Sequence, residues 1–121
     1  MVWLAVFEFM LVWAPIAAFG LPLYAHMILG IIIFALAYSN ASKLSKSPCP
    51  ARIRRIVKAT VGLSVFEGLL GILLHFSISM SLPSLVANAV SFLHLGIALA
   101  IVTQAASTAT AYDMWEEKEF A

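Results

Sequence analysis

Long apolar segments dominate the sequence, and each is about as long as a lipid bilayer is thick. Of the 121 residues, 63% are hydrophobic and only 11% are charged, and the mean hydropathy is +1.01. A soluble domain of this size cannot bury so much apolar surface. The sequence therefore predicts an all-α integral membrane protein that crosses the cell membrane several times and contacts the lipid bilayer.

The apolar segments predict a single domain, residues 1-121, that forms an up-down four-helix bundle. A segment of 18 residues makes a helix of ~27 Å, which is just long enough to span a bilayer. We expect the first segment to be retained as a helix kinked at Pro15, because no basic residues precede it as in a secretory signal. The predicted helices cover residues 2–19, 21–38, 59–79 and 83–112.

Charge is concentrated in one segment, residues 39–58, which we predict to be a basic loop. It contains six basic residues and no acidic ones: Lys43, Lys46, Arg52, Arg54, Arg55 and Lys58. The positive-inside rule places this loop, and with it both termini, in the cytoplasm. Cys49 lies in this segment without a second cysteine or a metal ligand nearby, which indicates a loop thiol. A net charge of +1 does not favour a nucleic-acid partner.

Three histidines interrupt the apolar segments, and they provide the main functional signal. Trimming the fourth segment to bilayer length places His94 about five residues from the outer boundary, and His26 and His75 lie at similar depths. Ionisable side chains inside a bilayer usually mark a functional site, and neutral imidazole is a strong ligand for iron, copper or zinc. The alternative is that the imidazoles only form hydrogen bonds between helices of a cofactor-free accessory subunit of a membrane complex.

Small residues lie one turn from each histidine on the same helix face: Gly30 from His26, Gly71 from His75 and Ala98 from His94. No cysteine or carboxylate lies within a turn of these histidines, which disfavours a compact zinc or copper site. Gaps of this kind suit a flat haem between helices, although small residues also simply allow close helix packing. Three aromatic residues at similar depth are candidate packing partners: Phe19, Phe76 and Phe92.

Residues 66–71 (FEGLLG), 92–98 (FLHLGIA) and 26–30 (HMILG) together resemble half of a haem A synthase. The resemblance implies a four-helix bundle in which the histidines of the second and fourth helices, His26 and His94, ligate haem. Because members of that family carry two such bundles, it also implies a homodimer for a half-length chain. The family's glutamate three residues before the second-helix histidine corresponds to Leu23 here, so haem binding is implied and haem hydroxylation is not.

Helix order independently supports this ligand pair, since helices two and four lie diagonally in an up-down bundle. We predict bis-histidine haem b on His26 and His94, with His75 as the runner-up, in a b-type cytochrome that passes single electrons to a quinone or a respiratory complex. The alternative is a compact haem-modifying enzyme, so enzymatic activity stays open. Glu8 and Glu67, expected in the inner half of the membrane, are candidates for proton transfer.

Overall fold

The computed structural model describes residues 1–11, 21–81 and 83–120, and these residues form four α-helices. The prediction of an all-α chain with four helices is confirmed. We name the helices α1 to α4, and they span Val2–Leu11, Leu21–Ser45, Ala51–Ser79 and Ser84–Phe120. The remainder of the first predicted helix, including Pro15, Phe19 and Gly20, lies outside the described residues.

The predicted loop over residues 39–58 is wrong in its extent, because most of this segment is helical. Helix α2 continues to Ser45 and α3 already begins at Ala51. Helix α4 likewise continues beyond residue 112 through the acidic tail to Phe120. The predicted bounds followed the change from apolar to charged residues, but lysine, arginine and glutamate are good helix formers and extend a helix past that change.

A compact connection of residues 46–50 joins α2 to α3. The Arg54 guanidinium donates hydrogen bonds to the carbonyl oxygens of Ser47 (3.3 Å) and Cys49 (2.9 Å). The Cys49 backbone N–H donates to the Ser47 hydroxyl at 3.2 Å. Cys49 lies in this connection as predicted, and its thiol is buried. The connection is therefore an ordered turn that Arg54 closes from the first turn of α3.

The predicted turn between the third and fourth segments is present after α3. Met80 donates its backbone N–H to Phe76 at 2.9 Å, and Ser81 adopts a left-handed conformation with φ 52°. A left-handed residue directly after the last helical turn is a common way for a helix to end. Helix α4 then starts at Ser84.

Three of the helices are long and apolar enough to cross a membrane, over Leu23–Ser45, Ala51–Ser79 and Ser84–Glu119. Their large apolar side chains lie mostly on the outside, as do those of α1. Among the most exposed are Trp3, Ile31, Ile78, Leu85 and Phe92. Exposed apolar surface on this scale is compatible with contact to lipid rather than water.

The helices pack in a ring, in which α1 and α3 each contact both α2 and α4. Consequently α1 lies diagonally across from α3, and α2 from α4. The residues buried between the helices are mainly small or β-branched, and they include Ala5, Ile33, Ala37, Ala41, Val57, Val90, Ile101 and Ala105. One buried polar contact joins α3 to α4, where the Thr60 hydroxyl donates to Gln104 Oε1 at 2.9 Å.

Candidate functional site

Each helix contributes one ionisable side chain to the same level of the ring. These are Glu8 on α1, His26 on α2, Glu67 on α3 and His94 on α4, and we call the four together the polar layer. Their side chains are between 16% and 26% exposed in the isolated chain. The layer thus places two carboxyl groups and two imidazoles among apolar helices, where such groups are costly unless they have partners.

The two histidines of the layer face each other although their helices lie diagonally in the ring. The ring centres of His26 and His94 are 6.0 Å apart, and the ring planes cross at 78°. No backbone contact joins α2 to α4 in the described part of the chain, so the imidazoles themselves bridge the space between these helices. His26 therefore lies opposite His94 across the ring of helices.

A carboxylate from a neighbouring helix lies beside each imidazole. His26 Nδ1 is 3.4 Å from Glu8 Oε1, and His94 Nδ1 is 3.1 Å from Glu67 Oε1. Both contacts are within ion-pair distance but lack hydrogen-bond alignment, and the two Nδ1 atoms and Glu67 Oε2 have no hydrogen-bond partner among the described residues. With a carboxylate beside Nδ1, the Nε2 atom of each ring is the one available to a ligand.

Two glycines make room for these side chains. A Cβ atom added at Gly30 would lie 3.1 Å from Glu8 Oε1, and one added at Gly71 would lie 3.3 Å from His94 Cε1. Both distances are shorter than an ordinary van der Waals contact. The small residues singled out in the sequence are therefore explained in part by the polar layer itself, and Ala98, one turn from His94, is half-buried.

The structure corrects the predicted separation of the carboxylates from the histidines along the bundle. Glu8 and Glu67 were expected in the inner half of the membrane, yet they lie at the level of His26 and His94. The correction follows from the helix bounds, because α3 begins at Ala51 and Glu67 is therefore in its middle rather than near its inner end. The carboxylates and the imidazoles form one site.

His75 does not belong to that site. It lies eight residues after Glu67 on α3, which is ~12 Å further along the helix, and it is exposed, with its ring 6.3 Å from that of Phe76. Phe76 and Phe92 are exposed as well. The expectation of three histidines in one layer is wrong, because neighbouring helices are offset along their axes by an amount that the apolar boundaries did not reveal.

Sequence reasoning overlooked the relation between the two glutamates. The tripeptide Val-Phe-Glu occurs at residues 6–8 and again at 65–67, on the diagonal helices α1 and α3. Each copy is followed by a helix that carries one of the facing histidines. From this repeat, a pair of one glutamate and one histidine could have been predicted in each half of the chain.

No group of three or more His, Cys, Asp or Glu side chains suited to a metal ion occurs among residues 1–11, 21–81 and 83–120. The protein ligands in the layer are instead two imidazoles, each next to one carboxylate. Comparisons with protein-family models, with curated proteins and with solved structures found no match. The function proposed below is therefore inferred from the geometry of the polar layer.

Proposed function

We propose that this protein is a multi-pass membrane protein of the cell membrane whose four helices form an up-down bundle. Two sets of contacts support opposite directions for neighbouring helices. Asn40 Nδ2 contacts Met1 Sδ at 3.7 Å while His26 contacts Glu8, so the far end of α2 meets the start of α1. Thr60 with Gln104 and Glu67 with His94 relate α3 to α4 in the same way.

The basic residues around the connection 46–50 support a cytoplasmic location for this connection and for both termini. Reporter fusions test this topology. A fluorescent protein fused after residue 121 should fluoresce, whereas alkaline phosphatase should be active only when it is fused at the outer turn near Ser81. Active phosphatase at residue 48 would contradict the proposed orientation.

Within this bundle we propose that His26 and His94 would hold haem b through their imidazole nitrogens. The observation that carries the proposal is the pair of facing imidazoles, with ring centres 6.0 Å apart and with a carboxylate beside each Nδ1 atom. A separation of this size leaves room for one metal between the two imidazoles, at bonds of about 2 Å. The carboxylates lie where a hydrogen bond from Nδ1 would orient a metal-binding imidazole and leave Nε2 for the metal.

Haem also matches the number of ligands that the layer provides. A bare metal ion needs three or four protein ligands, and no such group occurs in the described ranges. The haem macrocycle brings four nitrogen ligands of its own and requires only two from the protein. When bound, a haem with two histidine ligands supplies reversible one-electron chemistry, so we propose one-electron transfer as the function.

The test is the haem content of the detergent-purified protein after expression with added haem. The wild-type protein should show a Soret band that changes on reduction, and pyridine haemochrome analysis should identify haem b. His26→Ala and His94→Ala should each lose this spectrum. His75→Ala is the matched control and should keep it, because His75 lies outside the polar layer.

Two outcomes would contradict the proposal. A colourless wild-type protein would favour a cofactor-free accessory subunit, in which the polar layer serves only helix association. A haem spectrum that is unchanged in His94→Ala would show that haem binds elsewhere on the protein.

A further inference from the structure

A groove lies between α2 and α3 near the ends that the connection 46–50 joins, and we call it the α2–α3 groove. Its volume is about 280 Å³. The residues that line it are Tyr38, Ala41, Ser42 and Ser45 on α2 and Lys58 and Val61 on α3. Most of these side chains are exposed. The groove therefore opens towards the surroundings of the bundle rather than into the ring of helices.

The α2–α3 groove lies at the level where the hydrocarbon core of the membrane ends. Lys58 is the last of the basic residues at the start of α3. Residues 59–79, which follow it, contain no lysine or arginine and extend for ~32 Å at 1.5 Å per residue. This length matches a hydrocarbon core of ~30 Å. Tyr38, with an exposed ring, is typical of residues at the membrane interface, so the groove faces the lipid headgroups.

The polar side chains of the groove provide one positive charge and several hydrogen-bond donors. Lys58 contributes its ammonium group, and Tyr38, Ser42 and Ser45 contribute hydroxyl groups. Among the described residues no acidic side chain lines the groove, and the contacts at ion-pair distance are those of the polar layer, so no carboxylate neutralises Lys58. The complementary ligand is an anion with several acceptor oxygens, as in a phosphate group.

The apolar surface around the groove favours a lipid over a free phosphate ion. Ala41 and Val61 form the apolar part of its lining. One turn further towards the membrane centre, on the same helix faces, lie the exposed apolar residues Phe34 on α2 and Val65 on α3. An acyl chain attached to a bound headgroup would cover these residues, whereas a free ion would leave them without a partner.

We propose that the α2–α3 groove binds the headgroup of an anionic phospholipid, with Lys58 at its phosphate and its acyl chains along Phe34 and Val65. Basic pockets between membrane helices are typical binding sites for anionic headgroups. Lys46 and Arg55, which are exposed and close in sequence to Ser45 and Lys58, add positive charge on this side of the bundle. The site is separate from the polar layer and does not require haem.

The test is a titration of the detergent-purified protein with dioleoylphosphatidylglycerol, in which native mass spectrometry counts the bound lipids. Dioleoylphosphatidylcholine is the second arm, because it has the same acyl chains and a phosphate but no net charge. Glycerol phosphate, added as a competitor, is the third arm, because it has the phosphate without the chains. We expect the wild type to bind the first phosphatidylglycerol at least about five-fold more tightly than phosphatidylcholine, and glycerol phosphate to displace neither.

Two variants and one control locate the binding. Lys58→Gln removes the cation at an exposed position and should weaken phosphatidylglycerol binding by about five-fold, while phosphatidylcholine binding stays unchanged. Ser42→Leu fills the groove and should weaken phosphatidylglycerol binding as well. Lys43→Gln is the matched control and should bind as the wild type does. Lys43 is also an exposed lysine near the end of α2, but it lines a separate cleft between all four helices.

Equal affinity of the wild type for the two lipids would overturn the proposal. Equal weakening by Lys58→Gln and Lys43→Gln would also do so, because it would report only the net charge of the protein. Displacement of phosphatidylglycerol by glycerol phosphate would show a site for soluble phosphate esters instead. The result is independent of the haem proposal, since a colourless wild type that selects phosphatidylglycerol through Lys58 supports the lipid site, and a haem-loaded protein without this selectivity overturns the lipid site alone.

Discussion

Replacing Gly71 by alanine tests whether the polar layer is packed as the structure describes. The added Cβ atom would lie 3.3 Å from His94 Cε1. The optimum separation of two carbon atoms is about 3.5–4.0 Å, so the imidazole must retreat by about 0.2–0.7 Å. His94 has little freedom to do so, because Glu67 Oε1 lies 3.1 Å from its Nδ1 atom and the centre of the His26 ring lies 6.0 Å from that of its own ring.

Gly68→Ala is the matched control on the same helix, because nothing lies within 4 Å of a Cβ atom added there. Both substitutions replace a helical glycine, which favours the helix by at most about 1 kcal/mol. This gain is the same at the two positions and cancels in their comparison. What remains is the cost of overpacking at Gly71, which is about 1–3 kcal/mol.

The assay is reversible unfolding of the haem-free protein in mixed micelles of dodecyl maltoside and sodium dodecyl sulfate, followed by circular dichroism. We expect Gly71→Ala to be less stable than Gly68→Ala by about 1–3 kcal/mol. Haem content, measured separately, should fall in Gly71→Ala and stay unchanged in Gly68→Ala, since a displaced His94 is a poorer ligand. Equal stability of the two variants would refute the close packing of His94 on Gly71.

Three further substitutions test other contacts. Thr60→Val removes the buried hydrogen bond between α3 and α4 and should cost about 0.6–1.7 kcal/mol in the same unfolding assay, whereas the exposed Thr103→Val should cost almost nothing. Arg54→Ala removes both hydrogen bonds that close the connection 46–50. The buried Cys49 thiol should then react with a maleimide several-fold faster than in the wild type. An unchanged rate would show that the connection holds without Arg54. Glu67→Gln removes the carboxylate beside His94 and should weaken haem binding by about 10- to 100-fold, and unaltered affinity in a haem titration would exclude an orienting role.

The sequence was sufficient for the number and order of the helices, but not for where they end, and for part of the site. Apolar segments of membrane length predict four helices because the backbone of each segment must satisfy its own hydrogen bonds in lipid. The polar stretch near Ser81 predicts the turn that follows α3, and the order of the helices predicts that His26 faces His94. These features depend on local composition and on connectivity, and both can be read along one chain.

The partners of the histidines required the folded arrangement. Periodicity shows which residues share one face of one helix, but it does not give the axial offset or the rotation between two helices. Those depend on contacts between residues far apart in sequence, such as Gly30 with Glu8 and Gly71 with His94. For that reason the position of His75 within its own segment predicted the same depth as the other histidines. Only the packing of the helices shows that His75 lies outside the polar layer and that both carboxylates lie within it.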